Sequence, residues 1–549
     1  MSPAALKTWS TRSALGMARH ALRPLHAFQD ALFRAPELAQ RRIRNRIVRR
    51  LAKTEYGASL GVRSVRDIKR IPVVDYDDLA PWLERQRRCA GPVLTPDPIL
   101  FYEQTSGSSA AAKLIPYTAA LRRSYTHMFL LWVADILLHG KRGLSSGKTY
   151  ISISPSFDRE RQAVQGVPVG TTDDSEYLSA LLQPLMRLFW VASDEISRAA
   201  GPKAFRQATC KALLSNADLE VMSIWNPTFL LVLLDEIEEN RDLYRQLLLE
   251  QGEGHRANLM LETDIHWEKL WPELRLISCW DAAAARFSAK RLAQKFPNTW
   301  MQGKGLLSTE APISMPWIQA GTHLPLLSEI WLELERNDGE LVPIEEASVG
   351  EEYGVVVSQL GGLYRYRLGD RVHVGERYQN TPSLVFVGRD SATSDMVGEK
   401  LHEAFVERSL LPLLGEHEFF LLVPMPGRTP HYVLILEPDA RAIRGDFSMG
   451  ADLMEAVDRA LSASFHYRHA RALGQLHAPR LCIWPAASKE THQLQGEELL
   501  RVGNLKPNVL LTKNLGRHLR AEILRRTKTN EYTGACAPSA PARETASWI

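Results

Sequence analysis

The pattern of apolar residues changes abruptly at Gly388-Arg389-Asp390, and this break limits the fold more than any other feature of the sequence. Before it, from 329 to 388, short apolar runs are separated by Gly, Asn and Pro, which predicts a sheet-rich or barrel-like lobe. After it, the periodicity predicts helix (402–414), strand (418–424), strand (431–437), helix (451–473), strand (480–485), then a polar loop and a helix. A chain that switches in this way folds as a large first domain followed by a small, separate α+β domain. Residues 1–389 are expected to form the first and 390–525 the second. Residues 526–549, with Thr, Ala, Pro and Lys and no periodicity, are expected to be a loose tail.

Further upstream, residues 14 to 60 follow a helical pattern that Ile71-Pro72-Val73-Val74 punctuates, and Tyr76 to Arg88 predicts another short helix. The apolar run Ile99–Tyr102 precedes a polar loop, Gln104 to Ala112, with a long helix expected from Thr118 to about Gly140. Thr149–Ser154 alternates as a strand does, and 175–270 reads as mostly helical. Leu274–Trp280 is a buried strand leading into an alanine-rich helix. No internal repeat of fixed period is present.

Charge is uneven. Residues 1–53 carry 12 Lys+Arg and 2 Asp+Glu, whereas the remainder carries 55 and 61. A basic front could bind nucleic acid or anionic lipid, or act as a targeting peptide. However, Ile43, Ile47, Val48 and Leu51 form one helical stripe among the arginines, which predicts an amphipathic helix docked on the body of the protein. The slightly acidic body gives no reason to expect a nucleic-acid partner. The longest apolar run, Met128–Ala134, has seven residues, far short of the roughly 18 a membrane-spanning helix needs. Five scattered cysteines without a C-x-x-C pair argue against a disulfide framework or a zinc ribbon, and the expected compartment is the reducing cytoplasm.

Four segments could carry chemistry. In Thr105-Ser106-Gly107-Ser108-Ser109-Ala110-Ala111-Ala112-Lys113, small residues let backbone N–H groups approach an anion, hydroxyls add donors and a lysine adds charge. It lacks the Walker spacing, and a solvated turn is the bland alternative. In Gln302-Gly303-Lys304-Gly305-Leu306-Leu307-Ser308-Thr309-Glu310, a hydroxyl beside a carboxylate could hold a phosphate oxygen and a magnesium ion, or merely cap a turn. In Tyr364-Arg365-Tyr366-Arg367-Leu368-Gly369-Asp370, the alternation suits an exposed strand face or a charge and aromatic ladder. A Gly-Asp turn at the strand's end could there offer a carboxylate to a ribose diol. Gly398-Glu399-Lys400, with Gly388-Arg389-Asp390, would place a polar hinge and a lysine at the domain boundary. The histidines, His127 and His402 among them, lack metal-ligand spacing and are expected to be structural or surface residues.

Together and in this order, the four segments resemble the acyl-acid amido synthetases named after the auxin-responsive Gretchen Hagen genes, a branch of the acyl-adenylate-forming, firefly-luciferase-like superfamily. The resemblance runs from about residue 40 to 515. It implies an α/β (α+β) fold: a large N-terminal adenylation domain with sheets and a barrel-like lobe, and a small mobile C-terminal domain. It implies that Ser106, Gly107, Ser108, Ser109, Lys113, Gly305, Ser308 and Thr309 surround the ATP phosphates, that Glu310 holds Mg²⁺, and that Tyr366, Asp370 and Arg389 complete the nucleotide site. Lys400 and Lys506, in Gly503-Asn504-Leu505-Lys506-Pro507, match the family's lysines of the small domain, and with Thr309 they are the expected catalytic residues. Trp225, Trp280 and Asp281 fall where the family lines its acyl pocket.

The implied reaction is activation of a carboxylic acid as an acyl-adenylate, then transfer of the acyl group to an amine, with an amino acid the expected acceptor. A carboxylate acylates poorly because its leaving group would be oxide, and adenylation replaces oxide with AMP. Aromatics in the acyl region favour an apolar, aromatic acid. The expected partners are small molecules, and the chain is expected to be a monomer. Two departures stand out: Ala110-Ala111-Ala112 with one lysine replaces the family's glycines and two lysines, and the segment after Lys506 lacks the usual Pro-Arg. The alternatives are a thioester (acyl-CoA) ligase and a catalytically degenerate nucleotide-binding scaffold.

Overall fold

The computed structural model describes residues 3–89, 91–104, 113–141, 143–145, 147–152, 163–164, 166–170, 189–191, 194–199, 201–283, 285–389, 393–414, 419–427, 429–437, 449–484, 509–511 and 517–531. The chain divides into two compact units; among the described residues the first runs to Arg389 and the second begins at Thr393.

The first unit opens with helices α1 (Pro3–Arg34) and α2 (Pro36–Leu51). Pro36 starts α2, Glu37 sits in its first turn and Arg49 and Arg50 in its last, so sequence and helix dipole agree. Its stripe of Ile43, Ile47, Val48 and Leu51 is fully buried, as the periodicity predicts. Each such side chain contributes about 1.5–3 kcal/mol as an upper estimate. The buried Gln40 adds specificity: its amide donates to the carbonyls of Leu327 (3.2 Å) and Ile330 (2.9 Å) and accepts from Leu332 N (2.8 Å). The basic front is thus part of the core.

Helix α3 (Tyr76–Arg88) starts at a capping box in which Asp75 and Asp78 accept each other's backbone N–H at 3.0 Å. Strand β1 (Ile99–Gln104) then pairs antiparallel with β2 (Leu114–Thr118), with Gln104 opposite Leu114. This differs from the expected strand, loop and helix: a second strand intervenes, and α4 (Ala119–His139) starts only after it, capped by Thr118. Pro116 is tolerated because β2 is an edge strand of a two-stranded ribbon.

Four short strands form a parallel sheet: β3 (Thr149–Ile151), β4 (Val221–Ser223), β5 (Leu276–Cys279) and β6 (Trp300–Gly303), in that spatial order. Ile151, Ser223, Ser278 and Gln302 lie side by side across it. Strand β4 interrupts a stretch expected to be mostly helical; part of that stretch, 171–188, lies outside the described residues.

A second, antiparallel sheet contains β7 (Ile330–Glu335), β8 (Leu341–Pro343), β9 (Glu352–Gln359), β10 (Tyr366–Tyr378) and β11 (Thr381–Arg389), in the order β8-β7-β9-β10-β11. It matches the sheet-rich lobe expected from 329 to 388.

In the second unit, β12 (Phe419–Met425) pairs antiparallel with β13 (His431–Glu437), which pairs parallel with β14 (Arg480–Ile483). The helix expected over 451–473 is two helices, Met449–Leu461 and Phe465–Ala472, broken at Ser462–Ser464. A last helix runs from Arg517 to Glu531, past residue 525, where the tail was expected. Its Ile523 and Thr527 are buried and hold it in place. No helix among the described residues is long and apolar enough to cross a membrane.

Candidate active site

In a parallel sheet the backbone leaves each strand at the same edge, and loops at the C-terminal ends converge into a crevice suited to ligands. Here that edge collects Ser223 and Trp225 after β4, Trp280 and Asp281 after β5, and Lys304 and Gly305 after β6. A cleft opens there, lined by Trp280, Asp281, Gly305, Leu307, His323 and Phe386 among others. A second depression, lined by Leu276, Trp300 and Lys141, lies at the opposite ends of the strands and contains none of the expected site residues.

The residues after β6 are shaped by tight packing. Gly305 has φ +77°, and a Cβ there would stand 2.6 Å from the Ser314 carbonyl oxygen. Gly305→Ala is therefore expected to cost at least about 1–2 kcal/mol from the left-handed backbone alone. Thermal melting checks this: an unchanged midpoint would mean that the turn relaxes freely. Beyond it, Leu307 and Pro312 bridge, and Ser308 closes the turn between them. Its hydroxyl lies 3.2 Å from both Ala311 N and Ala311 O, so Ser308 is occupied as a turn residue. Thr309 is partly exposed and Glu310 is buried. Tyr125 of α4 donates its hydroxyl to the Ser308 carbonyl, and its ring stacks on Tyr117 of β2. The hairpin and this turn are thereby tied together.

The Tyr-Arg-Tyr-Arg segment divides cleanly. Tyr364 and Tyr366 are core residues, 1% and 2% exposed. Arg365 makes a two-pronged pair with Glu333 (2.8 and 3.0 Å), and Arg367 makes one with Glu335 (2.8 and 2.6 Å). The arginines thus form a ladder. Asp370 does not lie in a turn at the strand's end, as expected. Strand β10 continues to Tyr378, and the Gly-Asp pair sits in a β-bulge: Arg367 faces Val356 and Arg371 faces Gly354, leaving three residues opposite Val355. Gly369, at φ +77°, supplies the irregular backbone.

The bulge places Asp370 opposite Arg389 of β11, whose Nε donates to Asp370 Oδ1 at 2.8 Å. The carboxylate is 0% exposed, and its Oδ2 has no partner among the described residues. Glu310 stands nearby. Burial raises its pKa, Asp370 raises it further, and Arg389 opposes both. Burial and then Glu310 also raise the pKa of Tyr366.

Trp225 and Trp280 lie 6.0 Å apart, and Trp280 N donates to the Trp225 carbonyl at 2.9 Å. The Asp281 carboxylate sits against Gly303, where a Cβ would collide with it, and interacts electrostatically with His323. Lys113 folds over the Tyr76 ring, 5.2 Å from its centre. In the second unit, Lys400 has a left-handed backbone, φ +40°. Ser106, Gly107, Ser108, Ser109, Asp390 and Lys506 lie outside the described residues. His127 pairs with Glu329 at 2.6 Å and His402 with Thr393 at 2.8 Å. Sequence reasoning gave no role to Lys304, His323 or Phe386. A lone lysine between two glycines at the end of an apolar strand is the one signal that could have marked Lys304.

Three family models match the chain in order: the GH3 family N-terminal domain over 25–252, the central domain over 328–389 and the C-terminal domain over 399–513. The chain belongs to the GH3 family. It is similar to the indole-3-acetic acid-amido synthetase GH3.2 of Arabidopsis thaliana, 22% identical over 449 residues, covering 70% of this chain and 79% of that one. It is also similar to the jasmonoyl-L-amino acid synthetase JAR4 of Nicotiana attenuata, 24% identical over 427 residues, covering 68% and 73%. The solved structure of the Arabidopsis GH3.15 acyl acid amido synthetase in complex with 2,4-DB superposes with a TM-score of 0.75 at 18% identity, covering 93% of this chain and 96% of that one. At that identity the likeness establishes the fold, so the GH3 architecture extends over nearly the whole chain.

Proposed function

We propose that this GH3 protein is an ATP-dependent acyl acid amido synthetase. It activates a carboxylic acid as its acyl-adenylate and passes the acyl group to an amine, with an amino acid the preferred acceptor. The observation that carries this reading is Asp370: a buried carboxylate with one oxygen fixed by Arg389 and the other without a partner among the described residues, and electrostatically coupled to the buried Glu310. An unpaired buried acceptor is costly, and a ribose diol would satisfy it. The named relatives' activities point to the same chemistry.

The acid's carboxylate attacks the α-phosphorus of ATP, the bond to pyrophosphate breaks, and the amine then attacks the activated carbonyl, expelling AMP. The protein's task is placement and charge neutralisation. Asp370 would hold the ribose, while Thr309, Ser308 and the segment of Ser106, Ser108 and Ser109 would meet the phosphates. Glu310 fits a magnesium ion: it is a hard oxygen donor withdrawn from water, with its charge only partly offset by Arg389. When bound, the ion neutralises polyphosphate charge. Lys400 and Lys506, from the family resemblance, would act from the small domain. The basis for an intracellular, monomeric enzyme is the sequence alone.

Purified protein, ATP and a broad acid library test the reading through carboxylate-dependent pyrophosphate exchange. No exchange with any acid would leave only the degenerate scaffold, and thioester formation with CoA without amide would favour the ligase alternative. The pH dependence follows from Glu310. Its pKa is raised and its working form is the carboxylate, so adenylation is present above that pKa and lost as pH falls through it. The loss should begin at a higher pH than an ordinary glutamate would give. Glu310→Gln should remove this acid limb and weaken magnesium dependence; an unchanged profile would dismiss the metal role.

A further inference from the structure

Lys304 carries a charge that the chemistry above does not use. Its Nζ donates to Ser223 Oγ at 2.7 Å and lies 5.2 Å from the Trp225 ring centre and 5.8 Å from that of Trp132. No carboxylate pairs with it among the described residues. Of the elements around it, β4 offers Ser223, α4 offers Trp132, and β5 ends in Cys279, the titratable group set against it. Burial, then Asp281, pushes the Cys279 thiol up to about 12, so it is uncharged at neutral pH. Burial also brings Lys304 down to about 8, opposed by Cys279, which leaves most of the ammonium protonated at neutrality.

The floor beneath it is polar. Ser278 is the register neighbour of Ser223, so both side chains lie on one face of the sheet. Ser278 is 1% exposed and its Oγ has no partner among the described residues. Gln302, next in the row, is engaged: its Oε1 accepts from Trp132 Nε1 at 2.8 Å. Among the described residues, one cation without a counter-ion thus lies against two indoles, and one hydroxyl without a partner sits in the strand row beside Ser223, the acceptor of that cation. Trp225 continues to Trp280, which lines the cleft. A cation held in this way is stabilised by an incoming anionic oxygen.

We infer that Lys304 and Ser278 receive a second anionic oxygen group at the far end of the acyl substrate, so that the acids activated are flat, apolar acids with an acidic group distal to the reacting carboxyl. The indoles of Trp132 and Trp225 would hold the flat body between the two ends. This rests on the amido synthetase reading for the reacting end and adds the substrate class.

The test is titration calorimetry of the full chain with paired probes, benzoate against terephthalate and biphenyl-4-carboxylate against biphenyl-4,4′-dicarboxylate, with pyrophosphate exchange measured separately. At least one diacid should bind about ten-fold or more tightly than its parent, the range of a charge-assisted contact. That ratio should fall towards one in Lys304→Met and shrink several-fold in Ser278→Ala. In the wild type it should also shrink as pH rises through 8, where Lys304 loses its proton. Parents binding as well as diacids, or a ratio that survives in Lys304→Met, would overturn the inference. Equal losses of parent and diacid would place Lys304 on the reacting carboxylate instead. If Lys304→Met fails to fold, the Ser278→Ala ratio and the wild-type pH dependence decide. Diacid preference without pyrophosphate exchange would overturn the reaction and leave the pocket standing; exchange without preference would do the reverse.

Discussion

Asp370→Asn should weaken ATP binding about ten-fold or more, some 1.5–3 kcal/mol, while the fold persists. Asparagine has the size of aspartate, so the bulge at Gly369 is retained. What it lacks is the charge that Arg389 now meets at 2.8 Å and the second acceptor oxygen. Removing one partner of a buried pair is normally destabilising, but the Arg389 side chain is 35% exposed and can recover water. The effect should therefore fall on ligand binding more than on melting. Equilibrium ATP titration checks it, and an unchanged dissociation constant in a folded variant would remove Asp370 from the nucleotide site.

Glu399→Ala should be costlier to the fold, at about 3–5 kcal/mol for the small unit. The Glu399 carboxylate is 0% exposed and accepts from Met396 N (2.9 and 3.0 Å), Val397 N (2.8 Å) and the Tyr432 hydroxyl. Burial, then this carboxylate, raises the Tyr432 pKa, so the phenol stays protonated as donor. The same network holds Lys400, the next residue, in its left-handed backbone. Strain at a non-glycine residue persists only where its surroundings over-determine it. Hydrogen exchange should show loss of protection in β12 and β13, whereas Lys400→Ala should leave that protection intact. Full protection in Glu399→Ala would show that the turn stands without its anchor.

Much of the architecture was legible because burial imposes period. The stripe Ile43, Ile47, Val48 and Leu51, the apolar run that became β5 and the change of pattern after Gly388 each follow from one face meeting a core. Elements too short to show a period were missed. Strand β4 has three residues, and its pairing comes from its neighbours on both sides. The bulge at Gly369 was hidden for a related reason: its geometry depends on the register with the neighbouring strand β9, which no periodicity in the sequence fixes. At the site, motif residues were recognisable by type, but the state of Glu310 was not. Its raised pKa depends on Asp370 and on burial that only the folded chain provides. Lys304 was unreadable because its meaning lies in the absence of a counter-ion among the described residues.

The hairpin of β1 and β2 bears on how the Ser-rich segment between its strands can vary. Gln104 and Leu114 are cross-strand partners, so both ends of the intervening segment are fixed side by side. Their departure and return are secured by the ribbon itself, by the stacked Phe101 and Tyr117 (4.7 Å between centres), and by the link from Tyr125 to the Ser308 turn. Diversification between 105 and 113 is thereby separated from the inheritance of the fold. A library built at these positions would vary the segment, Ala110-Ala111-Ala112 included, against a constant background.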